Sequence, residues 1–234
     1  MPEDRQSLLE HLGELRSRLL WSILVWALLS GLVYYLTPQI LKLLARPLGT
    51  QLYFTGLQDA FMAYFKLALL GGFFLALPFW LSQLYLFVRP GLTPKENHWA
   101  LALLLPCLLL FIAGAVFGLL VVFPMAVKFF VGFSRNSLLA PMITVNEYLG
   151  LATLLALLGG ISFQLPLVML FLAILGVVSA AVYRRYWNYA LLIAIIAAGV
   201  FTPTVDIFTQ LLVTLPLIGL YFIGILLCGI LVKG

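Results

Sequence analysis

Phe87–Glu96 reads FVRPGLTPKE and separates two long apolar segments of the chain. Pro90 and Pro94 lack an amide hydrogen and restrict the residue before them, so a continuous helix through this stretch is disfavoured. Gly91 gives the turn access to backbone angles that other residues avoid. We therefore predict a tight loop at a membrane surface, which presents the carboxylate of Glu96 close to the lipid headgroups.

The composition of the chain predicts a membrane protein. Of its 234 residues, 64% are hydrophobic and 9% are charged, whereas a soluble domain carries about 25% charged residues. Its apolar runs reach the roughly 20 residues that a helix needs to cross a bilayer. The net charge of +5 comes from basic residues in loops and at the N-terminus. This distribution is typical of membrane topology signals and not of nucleic-acid binding.

We expect neither a removable signal peptide nor a metal site. The first 18 residues are charged and contain no small-residue cleavage site, so the first hydrophobic segment is expected to stay as a membrane anchor. Cys107 and Cys228 lie in apolar runs without the spacing of metal ligands, and His11 and His98 are isolated. No cofactor is therefore expected.

The hydropathy pattern predicts an all-α polytopic membrane protein, with residues 1–234 as a single integral membrane domain. Residues 1–18 are predicted to form a cytoplasmic amphipathic segment, because leucines recur there at helical spacing. Six transmembrane helices follow, at about 19–36, 65–88, 99–127, 148–178, 186–201 and 207–230.

Three of these spans are expected to depart from a straight crossing. Pro106 and Pro124 are expected to interrupt the third span. The long uncharged run of the fourth is expected to be tilted, kinked near Pro166 or extended past the membrane. The fifth span has only about 16 residues, or roughly 24 Å, against a hydrocarbon core of about 30 Å. We expect this short hairpin of the fifth and sixth spans to thin the bilayer locally.

Two further features concern packing. Residues 38–66 are too polar to span the membrane and too apolar to be disordered, so we predict an ordered extramembrane cap. It is expected to be helical around Pro38–Leu44 and Leu57–Tyr64. In the third span, Gly114 and Gly118 form a small-xxx-small face that favours close helix contact.

Six spans place both termini on the same side of the membrane. Eight basic residues fall on that side and five on the other, which favours a cytoplasmic location of the termini by the positive-inside rule. The eight are Arg5, Arg16, Arg18, Arg89, Lys95, Arg184, Arg185 and Lys233, and the five are Lys42, Arg46, Lys66, Lys128 and Arg135. We therefore predict a multi-pass protein of the plasma membrane. In the alternative interpretation of the central loop, Arg89 and Lys95 only set this topology.

Five motifs occur together in the order in which one family has them. They are HLGELRSRL at His11–Leu19, FVRPGLTPKE at Phe87–Glu96, SFQLP at Ser162–Pro166, Arg184-Arg185-Tyr186, and Thr202-Pro203 followed by Asp206 and Gln210. Together with the six-span hydropathy they resemble the TatC family, the receptor subunit of the twin-arginine protein translocase. The resemblance implies a concave arrangement of six helices with short fifth and sixth helices. It also implies export of folded proteins and no enzymatic activity.

The resemblance further implies a binding site for twin-arginine signal peptides at the cytoplasmic face. The residues implied are Glu14, Glu96, Phe87, Arg16 and Pro90. Guanidinium groups form strong charge-assisted hydrogen bonds with carboxylates, so two carboxylates at this face suit a cargo with paired arginines. The alternative for Glu14 is an i,i+4 pair with Arg18 on the surface of the first helix.

Polar residues in the last three spans and in the turn between the fifth and sixth are implied as contacts for a partner helix or an inserted signal peptide. They are Gln164, Thr202, Asp206 and Gln210. Gln164 stands where the family often has glutamate, and its alternative role is a hydrogen bond to a neighbouring helix. Asp206 has the alternative role of capping the sixth helix. Asn97-His98 stand where the family often has basic residues, which lowers the positive charge beside the loop glutamate.

The implied partners are TatA- and TatB-type single-span proteins, the lipid bilayer and further copies of the chain. The alternative function is a small-molecule secondary transporter, a class that usually has internal repeats and ionisable residues at the midplane. We see no clear repeat, and Gln164 is nearly the only polar side chain at depth besides hydroxyls. An intramembrane protease is disfavoured because both histidines lie outside the spans.

Overall fold

The computed structural model of the chain describes residues 8–46, 48, 52–135, 142–201 and 207–232. Almost all of this described part is helical, apart from an isolated bridge between Tyr53 and Thr144. Its α-helices are α1 (Leu8–Tyr34), α2 (Thr37–Ala45), α3 (Asp59–Val88), α4 (Pro94–Phe117), α5 (Phe123–Arg135), α6 (Val145–Ser162), α7 (Leu165–Ile174), α8 (Ala180–Arg185), α9 (Trp187–Phe201) and α10 (Ile207–Leu231).

Within the described ranges, five helical segments are long and apolar enough to cross a membrane, and α9 adds a shorter apolar helix. The five are His11–Tyr34, Asp59–Gly91, Pro94–Gly132, Val145–Ile174 and Ile207–Leu231. This arrangement is consistent with the six spans that we predicted. α9 has 15 residues, but α10 has 25. The shortness expected of both helices therefore applies to α9 alone, because the apolar run from Ile207 continues without a charged residue to Val232.

Two of the prolines act differently from each other. Pro106 lies inside α4, which continues unbroken around it, so the interruption expected there is wrong. A transmembrane helix tolerates proline where neighbouring helices and local adjustments satisfy the freed backbone groups. Pro166 breaks its span, which is the kinked alternative of the three expected there, since α6 ends at Ser162 and α7 begins at Leu165, with the proline in the first turn.

Pro124 follows a short π-helical segment, Gly118–Val122, that joins α4 to α5. In this segment the amide of Phe123 bonds to the carbonyl of Gly118, five residues earlier. Proline has no amide hydrogen for the usual i−4 carbonyl, and an inserted residue is one way in which a helix adapts its hydrogen bonds. The predicted interruption at Pro124 is therefore a change of helix type and not a break in the helix.

Glycines allow the third and fourth spans to contact each other closely. A methyl group added to Gly114 would overlap the carbonyl of Gly159, and one added to Gly118 would overlap the carbonyl of Leu155. The small-xxx-small face predicted in the third span is thereby confirmed, and its partner is α6. In lipid, van der Waals packing of this kind replaces the hydrophobic effect as a main source of helix association.

The end of the bundle that carries α2 and residues 52–58 is called the cap end here. The hydroxyl of Tyr148 donates to the carbonyl of Leu44 in α2 at 2.6 Å. The amide of Tyr53 donates to the carbonyl of Ile143 at 3.1 Å, and the amide of Val145 donates to the carbonyl of Tyr53 at 3.0 Å. These bonds join the segment after α2 to the start of α6, so the described part of the predicted cap, residues 38–46, 48 and 52–66, is ordered as expected.

The helices of the cap differ partly from the prediction. α2 confirms the helix expected around Pro38–Leu44. The second one, expected at Leu57–Tyr64, is the first part of α3, which begins at Asp59. The carboxylate of Asp59 accepts the amides of Thr55 at 2.9 Å and Gly56 at 2.8 Å. The segment that precedes α3 is thereby tied to the first residue of the helix.

Candidate functional site

The other end of the bundle carries the turn between α3 and α4 and is called the loop end. The first turns of α1 dock there against the last turns of α3. The ring of His11 stacks on that of Phe87, with centroids 4.3 Å apart and planes inclined by 16°. About two helical turns further along α1 and one turn back along α3, Arg18 donates from Nη1 to Oε1 of Gln83 at 3.1 Å. These contacts hold the start of α1 beside the turn.

Glu14 lies between these two contacts and is about a quarter exposed, with a relative side-chain accessibility of 27%. Its Oε1 accepts a hydrogen bond from Nε of Arg18 at 2.9 Å and a second from Nη2 of the same side chain. Its Oε2 faces Nδ1 of His11 at 3.9 Å. The i,i+4 pair allowed as the alternative role is therefore present. A carboxylate accepts up to about four hydrogen bonds, so Oε2 retains capacity for a further donor.

Glu96 is held in a reciprocal capping box at the start of α4. The hydroxyl oxygen of Thr93 accepts the amide of Glu96 at 3.4 Å, and Oε2 of Glu96 accepts the amide of Thr93 at 2.8 Å. Before the box, Arg89–Gly91 form a single 3-10 turn, and Leu92 is extended. The predicted tight turn is confirmed. The capping box was readable from the T-x-x-E pattern Thr93–Glu96, but our sequence interpretation did not use it.

A hydrogen bond across the turn joins α3 to α4. The hydroxyl of Tyr85 donates to Oδ1 of Asn97 at 2.8 Å. Since Phe87 contacts α1 and Tyr85 contacts α4, the end of α3 places Glu14 and Glu96 at the same end of the bundle. The sequence interpretation missed Tyr85 as a member of this cluster.

The remaining residues implied for this site also lie at the loop end. Arg16 is exposed on α1, and Pro90 is exposed in the 3-10 turn. Phe87 is half-buried by its stack on His11. The role of all five implied residues in peptide binding stays a prediction, and what the structure adds is their common location.

A groove of about 350 Å³ leads from this end into the membrane-spanning region. Its wall changes from Val88 and Leu92 beside the turn to Leu104 and Val168 deeper in the bundle, and it is otherwise almost wholly apolar. Gln164 is one of the few polar residues that line it. An apolar groove with a polar point at depth suits an extended or helical peptide whose side chains are mainly hydrocarbon.

Gln164 bridges the break between α6 and α7 to α4. Its Nε2 donates to the carbonyl of Cys107 at 3.2 Å and to that of Gly160 at 3.4 Å. The thiol of Cys107 donates back to Oε1 of Gln164 at 3.0 Å. The alternative role, a hydrogen bond to a neighbouring helix, is therefore confirmed. It does not conflict with exposure of the same residue to the groove.

Gln210 connects the last two helices, because its Nε2 donates to the carbonyl of Ile195 in α9 at 2.9 Å. Thr202 and Asp206, which were predicted to act with it, lie outside the described residues. Across the residues that are described, no group of three or more histidines, cysteines, aspartates or glutamates is arranged to hold a metal ion.

Comparison with known proteins identifies the family to which this chain belongs. A family model described as Sec-independent protein translocase protein (TatC) matches residues 10–216. The chain belongs to the TatC family. A TatC protein of Koribacter versatilis is 36% identical over 228 residues, which cover 94% of this chain and 83% of that protein. A TatC protein of Desulforapulum autotrophicum is 37% identical over 230 residues, covering 96% and 84%. Both are described as Sec-independent protein translocase proteins.

The fold agrees with this assignment to TatC. A crystal structure of the twin-arginine translocase receptor TatC superposes with a TM-score of 0.81 at 31% identity, covering 95% of this chain and all of that one. The TatC-like arrangement of helices that we predicted is thereby confirmed. As a TatC protein, the chain is a multi-pass membrane component of a protein translocase with several subunits, and it is not an enzyme. Nothing in these similarities supports a small-molecule transporter.

Proposed function

We propose that this chain is the receptor subunit of a twin-arginine translocase, and that its loop end binds the paired arginines of the signal peptide. The observation that carries the proposal is the convergence of α1, α3 and α4 there, which brings the carboxylates of Glu14 and Glu96 to one end of the bundle. The solved TatC proteins that share this fold are described as twin-arginine translocase receptors.

In each carboxylate, one oxygen is held by local hydrogen bonds, and the other can still accept hydrogen bonds from a guanidinium group of the signal peptide. In Glu96, Oε2 is used by the capping box, and among the described residues Oε1 has no hydrogen-bond partner. In Glu14, Oε1 is used by Arg18 and Oε2 points to His11. The local bonds fix both side chains in advance, so less conformational entropy is lost when a guanidinium group binds.

The other predicted residues support this geometry. Phe87 holds α1 in place through the stack on His11, and Pro90 shapes the turn that leads to Glu96. Arg16, exposed on α1, offers donors to backbone carbonyls of the peptide. The groove below then receives the apolar part of the signal peptide, and Gln164 meets it at depth.

The loop end faces the cytoplasm of a plasma-membrane protein in this proposal, and so do both termini. Support comes from the basic residues of that end, which include Arg16, Arg89, Lys95, Arg184 and Arg185. Cysteine labelling tests it in a background without Cys107 and Cys228. Leu57 is fully exposed at the cap end, so Leu57→Cys is expected to react with an impermeant reagent in intact cells. Lys95→Cys is expected to react only after lysis, and the reverse pattern would overturn the orientation.

Single-span partners of the TatA and TatB type are proposed to dock at the turn between α9 and α10, through Gln210 with Thr202 and Asp206. Gln210 already bridges the two helices by its amide nitrogen, and its carbonyl oxygen remains an acceptor. Gln210→Leu is expected to reduce site-directed crosslinking to such a partner in membranes. Unchanged crosslinking would remove Gln210 from the docking site. Further copies of the chain are proposed to complete the complex.

Peptide binding tests the receptor proposal itself. The purified full-length protein in detergent is titrated against a fluorescent signal peptide with paired arginines and against the same peptide with paired lysines. We expect clear preference for the arginine peptide, because guanidinium forms bidentate bonds with a carboxylate and an ammonium does not. Equal affinity for both peptides would contradict the proposal.

A further inference from the structure

A second apolar groove, of about 290 Å³, lies between α9 and α10, away from the loop-end site. It is lined by Trp187, Leu191 and Ala194 from one helix and by Leu217, Ile218 and Phe222 from the other, among others. It begins at Trp187, the first residue of α9, and reaches Ala197. That length is about 15 Å at about 1.5 Å per residue. The hydrocarbon core is about 30 Å thick, so the groove has the depth of one leaflet.

The mouth of this groove carries two adjacent arginines at the end of α8. The hydroxyl of Tyr221, which lines the groove, donates to the carbonyl of Tyr183 at 2.7 Å. This bond fixes α8 to the groove wall directly before Arg184. The guanidinium carbon of Arg185 lies 5.8 Å from the ring centre of Tyr186. Both arginines are exposed, and within the described part of the chain neither makes an ion pair.

We propose that the groove binds one acyl chain of an anionic phospholipid, whose phosphate is held by Arg184 and Arg185. Guanidinium groups bind phosphate oxygens in bidentate, charge-assisted pairs. Aromatic side chains such as Trp187 and Tyr186 are typical of the membrane interface, where the glycerol region of a lipid lies. The apolar wall of the groove thus corresponds to the acyl chain of a phospholipid, and the aromatic residues at its mouth correspond to the glycerol region. The two arginines correspond to the phosphate of the headgroup.

The size of the groove favours a lipid over a transmembrane helix of a partner protein. A helix with its side chains is about 10–12 Å wide, so 20 residues of it occupy on the order of 3,000 Å³. The groove offers about 290 Å³, which is enough for a single chain of methylene groups or for a few side chains. The two exposed arginines also favour a negative group at its mouth, and a phosphate supplies one.

Native mass spectrometry of the full-length protein in detergent tests the proposal, with dioleoyl phosphatidylglycerol and dioleoyl phosphatidylcholine titrated separately. We expect the protein to bind phosphatidylglycerol more tightly than phosphatidylcholine. Arg184→Gln/Arg185→Gln is expected to weaken phosphatidylglycerol binding about thirtyfold, or about fivefold for each guanidinium. It is expected to weaken phosphatidylcholine binding less, because the choline ammonium offsets the charge of that lipid's phosphate. Ala194→Phe, which fills the groove, is expected to weaken the binding of both lipids. Ala194→Leu is a milder second variant if the phenylalanine lowers the amount of folded protein.

Matched controls separate this site from general effects. Lys42→Gln/Arg46→Gln removes the same charge at the cap end, and Ile196→Phe adds the same ring to α9 outside the groove lining. Both are expected to bind phosphatidylglycerol like the parent. Three results would each overturn the proposal. One is a loss of phosphatidylglycerol affinity in Lys42→Gln/Arg46→Gln that equals the loss in Arg184→Gln/Arg185→Gln. Another is unchanged lipid binding in both Ala194 variants. The third is lost copurification of a single-span partner in Ala194→Phe with lipid affinity intact, which would assign the groove to a protein helix.

Discussion

Two helices of this bundle begin with the same signature, yet they lie at opposite ends and in different surroundings. α4 begins after Thr93 at the loop end, and α6 begins after Thr144 at the cap end, each with a glutamate three residues later. In both, the threonine hydroxyl accepts the amide of that glutamate, at 3.4 Å for Glu96 and 3.2 Å for Glu147. The two helix starts differ in what the carboxylate accepts, because Oε2 of Glu96 accepts the backbone amide of Thr93 at 2.8 Å and Oε2 of Glu147 accepts the hydroxyl of Thr144 at 3.0 Å.

Their neighbours differ. At the cap end, the residues next to Glu147 are used by the fold, since Val145 bonds to Tyr53 and Asn146 accepts a hydrogen bond from Lys66. At the loop end, Leu92 and Ala100, four residues before and after Glu96, line a groove of about 350 Å³, and Glu96 shares its end of the bundle with the carboxylate of Glu14. The comparison teaches that the capping signature determines where a helix begins, whereas the surrounding helices determine whether its glutamate is placed to meet a ligand.

Charge reversal at the two glutamates is the strongest test of this difference. Glu96→Lys is expected to weaken binding of a twin-arginine peptide by more than about a hundredfold, because it removes an acceptor and sets like charge against the cargo. It should also abolish the preference over a twin-lysine peptide. Glu147→Lys makes the same change at the same kind of helix start and is expected to bind like the parent. If Glu96→Lys still discriminates between the peptides as the parent does, the carboxylate receptor proposal is wrong.

Removal of a carboxylate should have a smaller effect than reversal. Glu96→Ala and Glu14→Ala are each expected to weaken peptide binding roughly ten- to hundredfold, since a charge-assisted hydrogen bond is worth about 1.5–3 kcal/mol. Glu147→Ala is the matched control. Fluorescence anisotropy with the purified variants measures the affinities, and immunoblotting of membranes checks the amount of protein.

The pair between Glu14 and Arg18 provides a second test of that residue. Arg18→Gln removes the internal partner of the carboxylate but keeps Glu14 itself. If Glu14 binds the cargo, this variant should retain the affinity of the parent or exceed it. A loss as large as that of Glu14→Ala would instead assign Glu14 to holding α1 against α3 through Arg18 and Gln83.

Gln164 extends the comparison to the groove below the loop end. Gln164→Leu removes the bonds to Cys107 and is expected to lower transport of a twin-arginine cargo roughly three- to thirtyfold, from about 0.6–2 kcal/mol for interhelical hydrogen bonding. Gln164→Glu is expected to be tolerated, because a protonated carboxyl can both donate and accept there. Thr153→Val on α6 is the control. Normal transport by Gln164→Leu would show that Gln164 contributes only to helix packing and not to transport.

The mildest changes concern the caps themselves. Thr93→Ala and Thr144→Ala each lose a helix cap and are expected to cost about 1 kcal/mol of stability, visible as similar decreases in the melting temperature. Only Thr93→Ala should also weaken peptide binding, by no more than a few-fold, because it removes the hydroxyl that accepts the amide of Glu96 while Oε2 of Glu96 keeps the backbone amide of residue 93. A similar decrease in binding for both variants would show that stability and not the position of Glu96 controls affinity.

The sequence by itself determined the spans, the turn and the family. Transmembrane hydropathy is a sum over neighbouring residues, so the runs that form α3, α4 and α10 are readable without any tertiary contact. The turn at Arg89–Gly91 likewise follows from local rules for proline and glycine. The motifs around Glu14 and Glu96 carry the resemblance to TatC for the same reason, since each lies within about ten consecutive residues.

Only the tertiary structure decided which of these residues meet. His11 and Phe87 stack although they lie far apart in the chain, and Gln164 bonds to Cys107 across a separation of 57 residues. The groove between α3, α4 and α7 exists only once all three helices are packed. Contacts of this kind depend on shape and on van der Waals fit at positions such as Gly114. Hydropathy is averaged over many neighbouring residues and carries no information on side-chain shape, so it does not specify that fit.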